Sequence, residues 1–389
     1  MITPTRSLYV HVPFCAHRCG YCDFVTTSRS PELHGRYVAA LQRELALQGG
    51  APEGGFDTIF VGGGTPTLLE PEAMGELLAW LASVQAPGAE LTLECNPETV
   101  DERLADQLAA AGARVSLGAQ SFSAHVLEAL ERRANPETVR GAVRQLRAAG
   151  IERLSLDLIW AVPGQTDEDL ARDLEAALEL EPDHLSAYEL ELKPGTRLAH
   201  RFGTDAATAL GEAADEHYDF VIDRLQEAGW WWYETANFAR DEQERCRHNL
   251  AYWHADTWLA VGVGAVGARA HADGSRVRRA NLPNVPRWLK AVEAGELPPA
   301  RIEEIDQRTA RLERVMLALR LDQAVRIEAS DIADGIVDGA GLERVMELEL
   351  GTALPVGDAD GTLRGTVELR LNRRGRMLQG TVGGLLLDP

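Results

Sequence analysis

The stretch DTIFVGGGTPTLLEPEAMGELLAWLASVQAPGAELTLE, residues 57–94, contains the repeating unit that decides the fold. It begins with an apolar run typical of a β-strand, residues 57–61, and ends with a second such run, residues 90–94. Between them, residues 72–83 place apolar side chains at helical spacing, which predicts an amphipathic helix. A strand, a helix and a strand within about 30 residues predict two parallel strands joined by a right-handed crossover.

The same alternation continues on both sides of this unit. Predicted strands cover residues 7–12, 57–61, 90–94, 114–119, 154–160 and 184–191, and predicted helices cover residues 37–47, 72–83, 102–111, 136–149 and 168–180. Six strand–helix units are fewer than the eight that close a TIM barrel. We therefore predict an α/β fold built on a partial (β/α)6 TIM-like barrel with an open, curved sheet. A doubly wound sheet is the alternative architecture.

The composition limits the class of protein. The 389 residues are 45% hydrophobic and carry a formal net charge of −21. The apolar fraction predicts a large buried core, and the strong negative charge argues against a nucleic-acid partner. No stretch approaches the ~20 uninterrupted apolar residues of a membrane span, and the first residues lack the pattern of a secretory signal. We expect a cytoplasmic protein with at most peripheral membrane contact.

Three of the five cysteines lie within eight residues, in the segment Cys15-Ala-His-Arg-Cys19-Gly-Tyr-Cys22. This crowding predicts a metal site in a reducing compartment rather than a disulfide framework. Thiolates suit iron–sulfur clusters and zinc alike, but zinc would need a fourth ligand. The candidates for that ligand are Cys95, Cys246, His11 and His17, so a purely structural metal site stays open. On a four-iron cluster, three ligands would leave one iron free, as in reactive sites.

Polar residues follow or interrupt the predicted strands at the positions where a barrel collects its reactive groups. The glycine-rich residues 62–65 follow the second strand, Glu94 ends the third and Gln120 follows the fourth. Glycines allow the backbone to approach a ligand closely. Asp157 lies within the apolar fifth strand, where a buried carboxylate needs a polar partner or a ligand.

The spacing Cys-x3-Cys-x2-Cys, with Tyr21 before the last cysteine, resembles the signature of the radical SAM superfamily. The resemblance implies a [4Fe–4S] cluster on Cys15, Cys19 and Cys22, with S-adenosylmethionine (SAM) on the open iron. It also implies a reductant such as flavodoxin or ferredoxin, and it leaves the catalytic residues unassigned. The residues that it assigns to SAM binding are Tyr9, Tyr21, Gly63, Gly64, Thr65, Glu94, Gln120, Arg132 and Asp157.

Further motifs occur in order along residues 6–321. They are HVPFCxxxCxYCDF, VGGGTPT, ExNPET, GAQSF, DLIWAVPGQT, YELELKPGT, YETANFA and HNxxYW. Together they resemble the family of oxygen-independent coproporphyrinogen III dehydrogenase and, within it, the branch of heme chaperones. Phe24 favours the chaperone branch because the dehydrogenases carry a further cysteine there. The fourteen residues before Cys15, where the dehydrogenases have a longer extension, and the HNxxYW motif favour it as well.

The resemblance therefore implies a chaperone that binds heme and passes it to acceptor proteins such as respiratory heme proteins. The heme-binding candidates are His248, Asn249, Tyr252, Trp253 and Cys246. An imidazole is a good ligand for heme iron, and neighbouring aromatic rings can pack on a porphyrin face. A structural role is the alternative for His248. The alternative function is oxidative decarboxylation of coproporphyrinogen III by the same radical SAM core.

Changes in pattern along the chain predict three parts. Residues 1–235 form the barrel core with the cluster and SAM, and residues 236–300 form an extension that carries HNxxYW and a glycine-rich loop. Residues 301–389 form a small, mainly helical C-terminal domain with a winged-helix-like arrangement as one option. We expect a monomer or a homodimer.

Overall fold

A computed structural model describes residues 5–356 and 365–387 of the chain. Its central feature is a run of six strands, each paired in parallel with the next. They are β1 (Ser7–Val12), β2 (Phe56–Gly63), β3 (Gln85–Cys95), β4 (Arg114–Gln120), β5 (Leu154–Trp160) and β6 (His184–Glu189). Because sheet order follows chain order, every crossover turns the same way and the sheet curls. The prediction of a partial TIM-like barrel is confirmed, and the doubly wound alternative is not.

Helices connect or follow these strands and pack their apolar sides onto the sheet, most of them in one core and the two shortest in a smaller cluster. They are α1 (Pro31–Leu47), α2 (Pro71–Val84), α3 (Glu102–Ala110), α4 (Ala124–Ala129), α5 (Pro136–Ala148), α6 (Asp167–Glu179), α7 (Arg197–Phe202) and α8 (Thr204–Glu227). Local sequence defines several of the helix starts. Asn135 caps α5 ahead of Pro136, and Thr166 with Asp169 forms a capping box on α6. These side chains satisfy backbone amides that the first turn of a helix leaves free.

The residues after α8 extend the sheet at both edges. At one edge β7 (Trp231–Trp232) and β8 (Asn237–Ala239) pair antiparallel beside β6. At the other edge β9 (Trp258–Val261) pairs in parallel with β1, and β10 (Val266–Ala270), β11 (Arg276–Asn281) and β12 (Ala300–Ile305) continue antiparallel. Helices α9 (Arg247–Trp253) and α10 (Val285–Glu293) lie between these strands in the chain. The described sheet thus has twelve strands and stays open, as predicted.

The last part of the chain has a hydrophobic cluster of its own. It contains the helices α11 (Gln307–Ala318), α12 (Ala329–Ala333), α13 (Gly339–Glu347), α14 (Arg373–Met377) and α15 (Gln379–Leu387) and the antiparallel strands β13 (Val325–Ile327), β14 (Gly351–Pro355) and β15 (Val367–Leu371). Arg376 joins this cluster to the core by lying 3.6 Å above the Trp232 ring. The boundary predicted at residue 301 falls inside β12, a strand of the large sheet. The three-part division stays a prediction.

Within residues 5–356 and 365–387, none of the helices combines the length and the apolar composition of a membrane span.

A buried carboxylate fastens β9 to the barrel. Glu44 of α1 is fully buried and accepts hydrogen bonds from the Gly262 amide at 2.8 Å, Asn281 Nδ2 at 2.6 Å and Trp288 Nε1 at 2.9 Å. These three donors come from the segment that follows β9, from β11 and from α10. One side chain therefore satisfies donors of three elements that the chain adds after the sixth strand.

Replacing this carboxylate should loosen the edge of the sheet. We expect Glu44→Ala to lower the free energy of unfolding by roughly 3 kcal/mol or more, because it leaves several buried donors without an acceptor. Chemical denaturation followed by circular dichroism measures the loss. Glu32→Ala, at an exposed position in the first turn of the same helix, should cost less than about 1 kcal/mol. Equal stability of the two variants would contradict the role given to Glu44.

Candidate functional site

A cavity of about 340 Å³ lies inside the curved sheet. Alternate residues of four strands line it, as expected when one face of each strand turns inward. These residues are Thr92 and Glu94 on β3; Arg114, Ser116, Gly118 and Gln120 on β4; Ser155, Asp157 and Ile159 on β5; and His184, Ser186 and Tyr188 on β6. The cavity extends from the carboxyl ends of the strands to their amino ends, where it meets α9.

The three clustered cysteines lie at the carboxyl end of the cavity. They belong to residues 13–24, the cysteine loop, and Cys15, Cys19 and Cys22 all line the cavity. Across the described ranges, no three His, Cys, Asp or Glu side chains converge on a single-ion position. Three sulfurs that line one cavity suit the corners of a multi-iron cluster.

Burial favours the protonated form of two of these thiols. Burial raises the pKa of Cys15 to about 11 and also raises the pKa of Cys22. Bound iron would favour the thiolate forms, because a coordinated metal drives thiols to deprotonate. Arg132 places Nη1 3.6 Å from Cys19 Sγ and brings a positive charge to the same place. The donor set therefore fits an iron–sulfur cluster.

The glycine-rich residues 62–65, the glycine loop, pack directly on the cysteine loop. The Thr65 amide donates to Phe14 O in the cysteine loop at 2.8 Å, and the Gly64 amide donates to O of Val12, the last residue of β1, at 2.7 Å. A Cβ on Gly64 would lie 2.7 Å from Phe14 O. Gly63 adopts a φ of 110°, and a Cβ there would collide with the His11 ring. Only glycine permits this approach, so the two loops form one cradle at the mouth of the cavity.

Two carboxylates lie in the cavity wall beside the cradle. Glu94 accepts a hydrogen bond from the Gly63 amide at 2.9 Å, and burial raises the pKa of Glu94 to about 7. Asp157 accepts from Ser116 Oγ at 2.9 Å, and burial raises the pKa of Asp157 as well. Two buried acids whose pKa values are raised favour a ligand that brings positive charge, as the sulfonium of SAM does.

Arg132 links the cluster end of the cavity to its wall. Its Nη2 donates to Asn96 Oδ1 at 3.0 Å and to Gly118 O at 2.9 Å, and Asn96 Nδ2 donates to Thr65 Oγ1 at 2.9 Å. Arg132 Nε is buried and has no hydrogen-bond partner among the described residues. The polar end of SAM could lie in the glycine cradle and accept a hydrogen bond from this unpaired donor.

Gln120 reaches the cavity because the strand β4 ends in an irregular turn. Gln120 has a φ of 65°, and the register of β4 against β5 shifts between Gly118 and Gln120. Asp173 of α6 holds the turn by accepting hydrogen bonds from Ser121 Oγ and the Phe122 amide. The strained backbone at the end of β4 is therefore supported by a buried carboxylate from the following helix.

The two tyrosines assigned to SAM binding lie in different places. Tyr21 lines the cavity within the cysteine loop. Tyr9 is not among the lining residues in the described part of the chain. Its hydroxyl lies 3.1 Å from His11 Nδ1 and its ring stacks on Phe60. The structure thus brings eight of the nine assigned residues to the cavity, and a SAM contact for Tyr9 stays a prediction.

The helix α9 carries four of the heme-binding candidates, with Cys246 directly before it, and packs at the amino ends of the strands. Cys246 and Asn249 line the cavity there, whereas His248, Tyr252 and Trp253 are not among the lining residues that the structure describes. His248 is 1% exposed, and burial lowers its pKa to about 3. Its Nδ1 lies 2.9 Å from Thr58 Oγ1 and its Nε2 lies 2.9 Å from the Tyr252 hydroxyl. Trp253 faces Arg320 instead. The heme-binding roles of these residues stay predictions.

Sequence reasoning missed several residues of the cavity wall. Asn96, Thr92, Arg114 and His184 were not singled out, although each lies on an inward-facing position of a strand or directly after one. The signal was the alternation of polar residues within otherwise apolar strands. Thr92 Oγ1 and Arg114 Nε have no hydrogen-bond partner within residues 5–356 and 365–387.

The chain is similar in sequence to known proteins. A family model of the radical SAM superfamily matches residues 9–177. The heme chaperone HemW of Mycobacterium tuberculosis (strain ATCC 25618 / H37Rv) is 37% identical over 352 residues, which cover 85% of this chain and 88% of the relative. The chain belongs to the HemW family. The HemW protein of Escherichia coli (strain K12) is 35% identical, over 73% of this chain and 75% of the relative.

A solved structure supports the fold of this HemW family member. Coproporphyrinogen III oxidase (HemN) from Escherichia coli, described as a radical SAM enzyme, matches with a TM-score of 0.75 and 22% identity. The match covers 98% of this chain and 90% of that chain. At this identity the likeness shows the shared fold alone.

The contact between the two loops leads to a prediction about cluster assembly. Gly64→Ala should push the glycine loop away from the cysteine loop, since its Cβ has no room against backbone atoms. We expect a clear loss of iron and sulfide per chain after anaerobic reconstitution. Gly35→Ala on α1, where a Cβ meets nothing within 4 Å, is the matched control and should reconstitute normally. Normal iron content in the Gly64 variant would contradict the packing argument.

The carboxylate under the β4 turn predicts a pH dependence. Burial raises the pKa of Asp173 to about 6, above the ordinary value of 3.8, so its contribution to stability is present at low pH and is lost as pH rises through 6. We expect wild-type protein to lose about 1 kcal/mol more than Asp173→Asn between about pH 5 and about pH 8. Denaturant unfolding at both pH values measures this difference. Asp106→Asn, at an exposed position, should follow wild type, and parallel curves for all three proteins would refute the assignment.

Proposed function

We propose that this chain binds heme and delivers it to heme-accepting proteins. The observation that carries the proposal is the 37% identity, over 85% of the chain, to a relative named heme chaperone HemW. The exposed Phe24 supports it, because an aromatic residue takes the place of a further cysteine at the rim of the cavity. Respiratory heme proteins are the acceptors that we infer.

We propose further that the cysteine loop holds a [4Fe–4S] cluster and that the cavity holds SAM. Cys15, Cys19 and Cys22 would be the iron ligands, since all three line one cavity beside Arg132. One-electron chemistry is what a cluster with bound SAM supplies. A flavodoxin or ferredoxin would be the matching reductant.

The chain's own residues would bind and orient SAM in this proposal. The glycine loop offers close backbone approach, and Arg132 Nε offers an unpaired donor to a carboxylate. Glu94 and Asp157 would face the positively charged part of the ligand, and Gln120 would close the wall between them. Each of these groups is fixed by a hydrogen bond or by backbone geometry before a ligand arrives, which reduces the entropy that binding costs.

The setting that we infer is the cytoplasm, where a reducing environment keeps the three cluster thiols available. The net charge of −21 supports protein partners rather than nucleic acids. A monomer or a homodimer would serve this function.

Heme binding and transfer test the proposal directly. Anaerobically reconstituted full-length chain should show a saturable Soret band on heme titration, and the heme should move to an apo heme protein mixed with it. Serum albumin loaded with heme is the control for passive release. In the presence of SAM, reductant and coproporphyrinogen III, we expect no release of carbon dioxide. A chain that binds no heme, or that releases carbon dioxide from the porphyrinogen, would overturn the proposal.

A further inference from the structure

Two histidines line the cavity, and they differ in what their ring nitrogens contact. His184 lies at the amino end of β6, with Nδ1 2.8 Å from Ser155 Oγ and Nε2 2.8 Å from the Tyr233 hydroxyl. His17 lies in the cysteine loop between Cys15 and Cys19 and is half-buried. Neither of its ring nitrogens makes a hydrogen bond to any residue that the structure describes. His17 is therefore the histidine of the cavity wall that can offer a nitrogen to an incoming metal without breaking an existing bond.

The histidine of HNxxYW is in the opposite situation. Both ring nitrogens of His248 are occupied, by Thr58 and by Tyr252, and its amide donates to Glu90 at 3.0 Å. Its ring stacks on Phe60 and is almost completely buried. To ligate iron through either ring nitrogen it would have to give up the hydrogen bond at that nitrogen, and a buried group left without a partner is costly. These contacts indicate that His248 fixes α9 against the start of β2.

The rim of the cavity near His17 exposes apolar surface. Phe24 is 56% exposed, and Tyr188, which points inward from β6, leaves 43% of its surface free towards the interior of the same cavity as His17. Ile159 and Leu190 also line the cavity, but both are buried in a hydrophobic cluster behind these rings. Large exposed aromatic side chains around a cavity are typical of a surface that receives a flat apolar ligand.

The charges at the rim are mixed. Arg18 Nε donates a hydrogen bond to Cys22 O at 3.2 Å. Its two terminal nitrogens make no hydrogen bond to any residue that the structure describes. Lys193 is paired with Glu191, and Asp23 and Glu189 also line the cavity. Burial raises the pKa of Glu189. Arg18 is thus the cation best placed to meet an acidic group on a ligand.

We infer that heme docks across the mouth of this cavity with His17 as its axial ligand, with Phe24 and Tyr188 against the porphyrin face and Arg18 towards a propionate. The inference rests on the proposed heme-binding function and assigns that function to a place. It puts the heme beside the cysteine loop rather than beside α9. The cargo and the cluster site would then share one opening, and loading of one would affect the other.

Heme titration of four reconstituted proteins tests the inference. They are wild type, His17→Ala, His248→Gln and His254→Ala, the last an exposed position just after α9 that serves as the matched control. Iron and sulfide content before titration shows that each protein carries its cluster. We expect His17→Ala to bind heme at least ~10-fold more weakly, with a Soret band that lacks the histidine-ligated position. Added imidazole should restore that position. His248→Gln and His254→Ala should titrate as wild type does.

Two results would overturn the inference. One is a wild-type Soret band and affinity in His17→Ala with its cluster intact. The other is loss of the histidine-ligated band in His248→Gln alone, which would place the heme at HNxxYW. Phe24→Ala separates contact from ligation, because it should weaken binding several-fold while the Soret position stays that of wild type. If wild-type protein binds no heme at all, the proposed function itself fails.

Discussion

The site depends on the close backbone contact between the cysteine loop and the glycine loop. Two short amide–carbonyl hydrogen bonds hold the glycine loop in place, one from Gly64 to Val12 O at the end of β1 and one from Thr65 to Phe14 O in the cysteine loop. Because neither Gly63 nor Gly64 has room for a side chain, the loops meet at a distance that other residues would prevent. The three cysteines that follow Phe14 are half-buried and line the cavity.

The rest of the cavity follows from the sheet order. Sequential parallel strands curl the sheet, and alternate side chains of β3 to β6 then face the same interior. This places Glu94, Gln120 and Asp157 opposite the cysteine loop although they are far apart in the chain. Long-range support comes from side chains on neighbouring elements, such as Asp173 under the β4 turn and Glu44 under β9. The interior is therefore polar and preorganised, while the outer face of each strand is apolar.

Much of this arrangement could be predicted from the sequence. Two of the six core strands have the predicted bounds. The cysteine and glycine motifs are short and contiguous, so the alternation of strands and helices is enough to place these motifs at the strand ends. The strand β9 was missed because it is four residues long and runs into glycines. The hydrogen bond between His248 and Thr58 could not be predicted either, because the two residues are 190 positions apart and no sequence periodicity specifies such a pair. Local patterns predict elements, whereas packing decides which polar side chains remain free.

The iron positions in a heme-loaded crystal of the reconstituted chain test the account most directly. Anomalous scattering at the iron edge locates every iron without reference to activity. The account predicts one strong peak at the cysteine loop and one single-iron peak next to it, at the mouth of the cavity beside His17. A single-iron peak beside α9, or a cysteine loop that carries no iron, would contradict it.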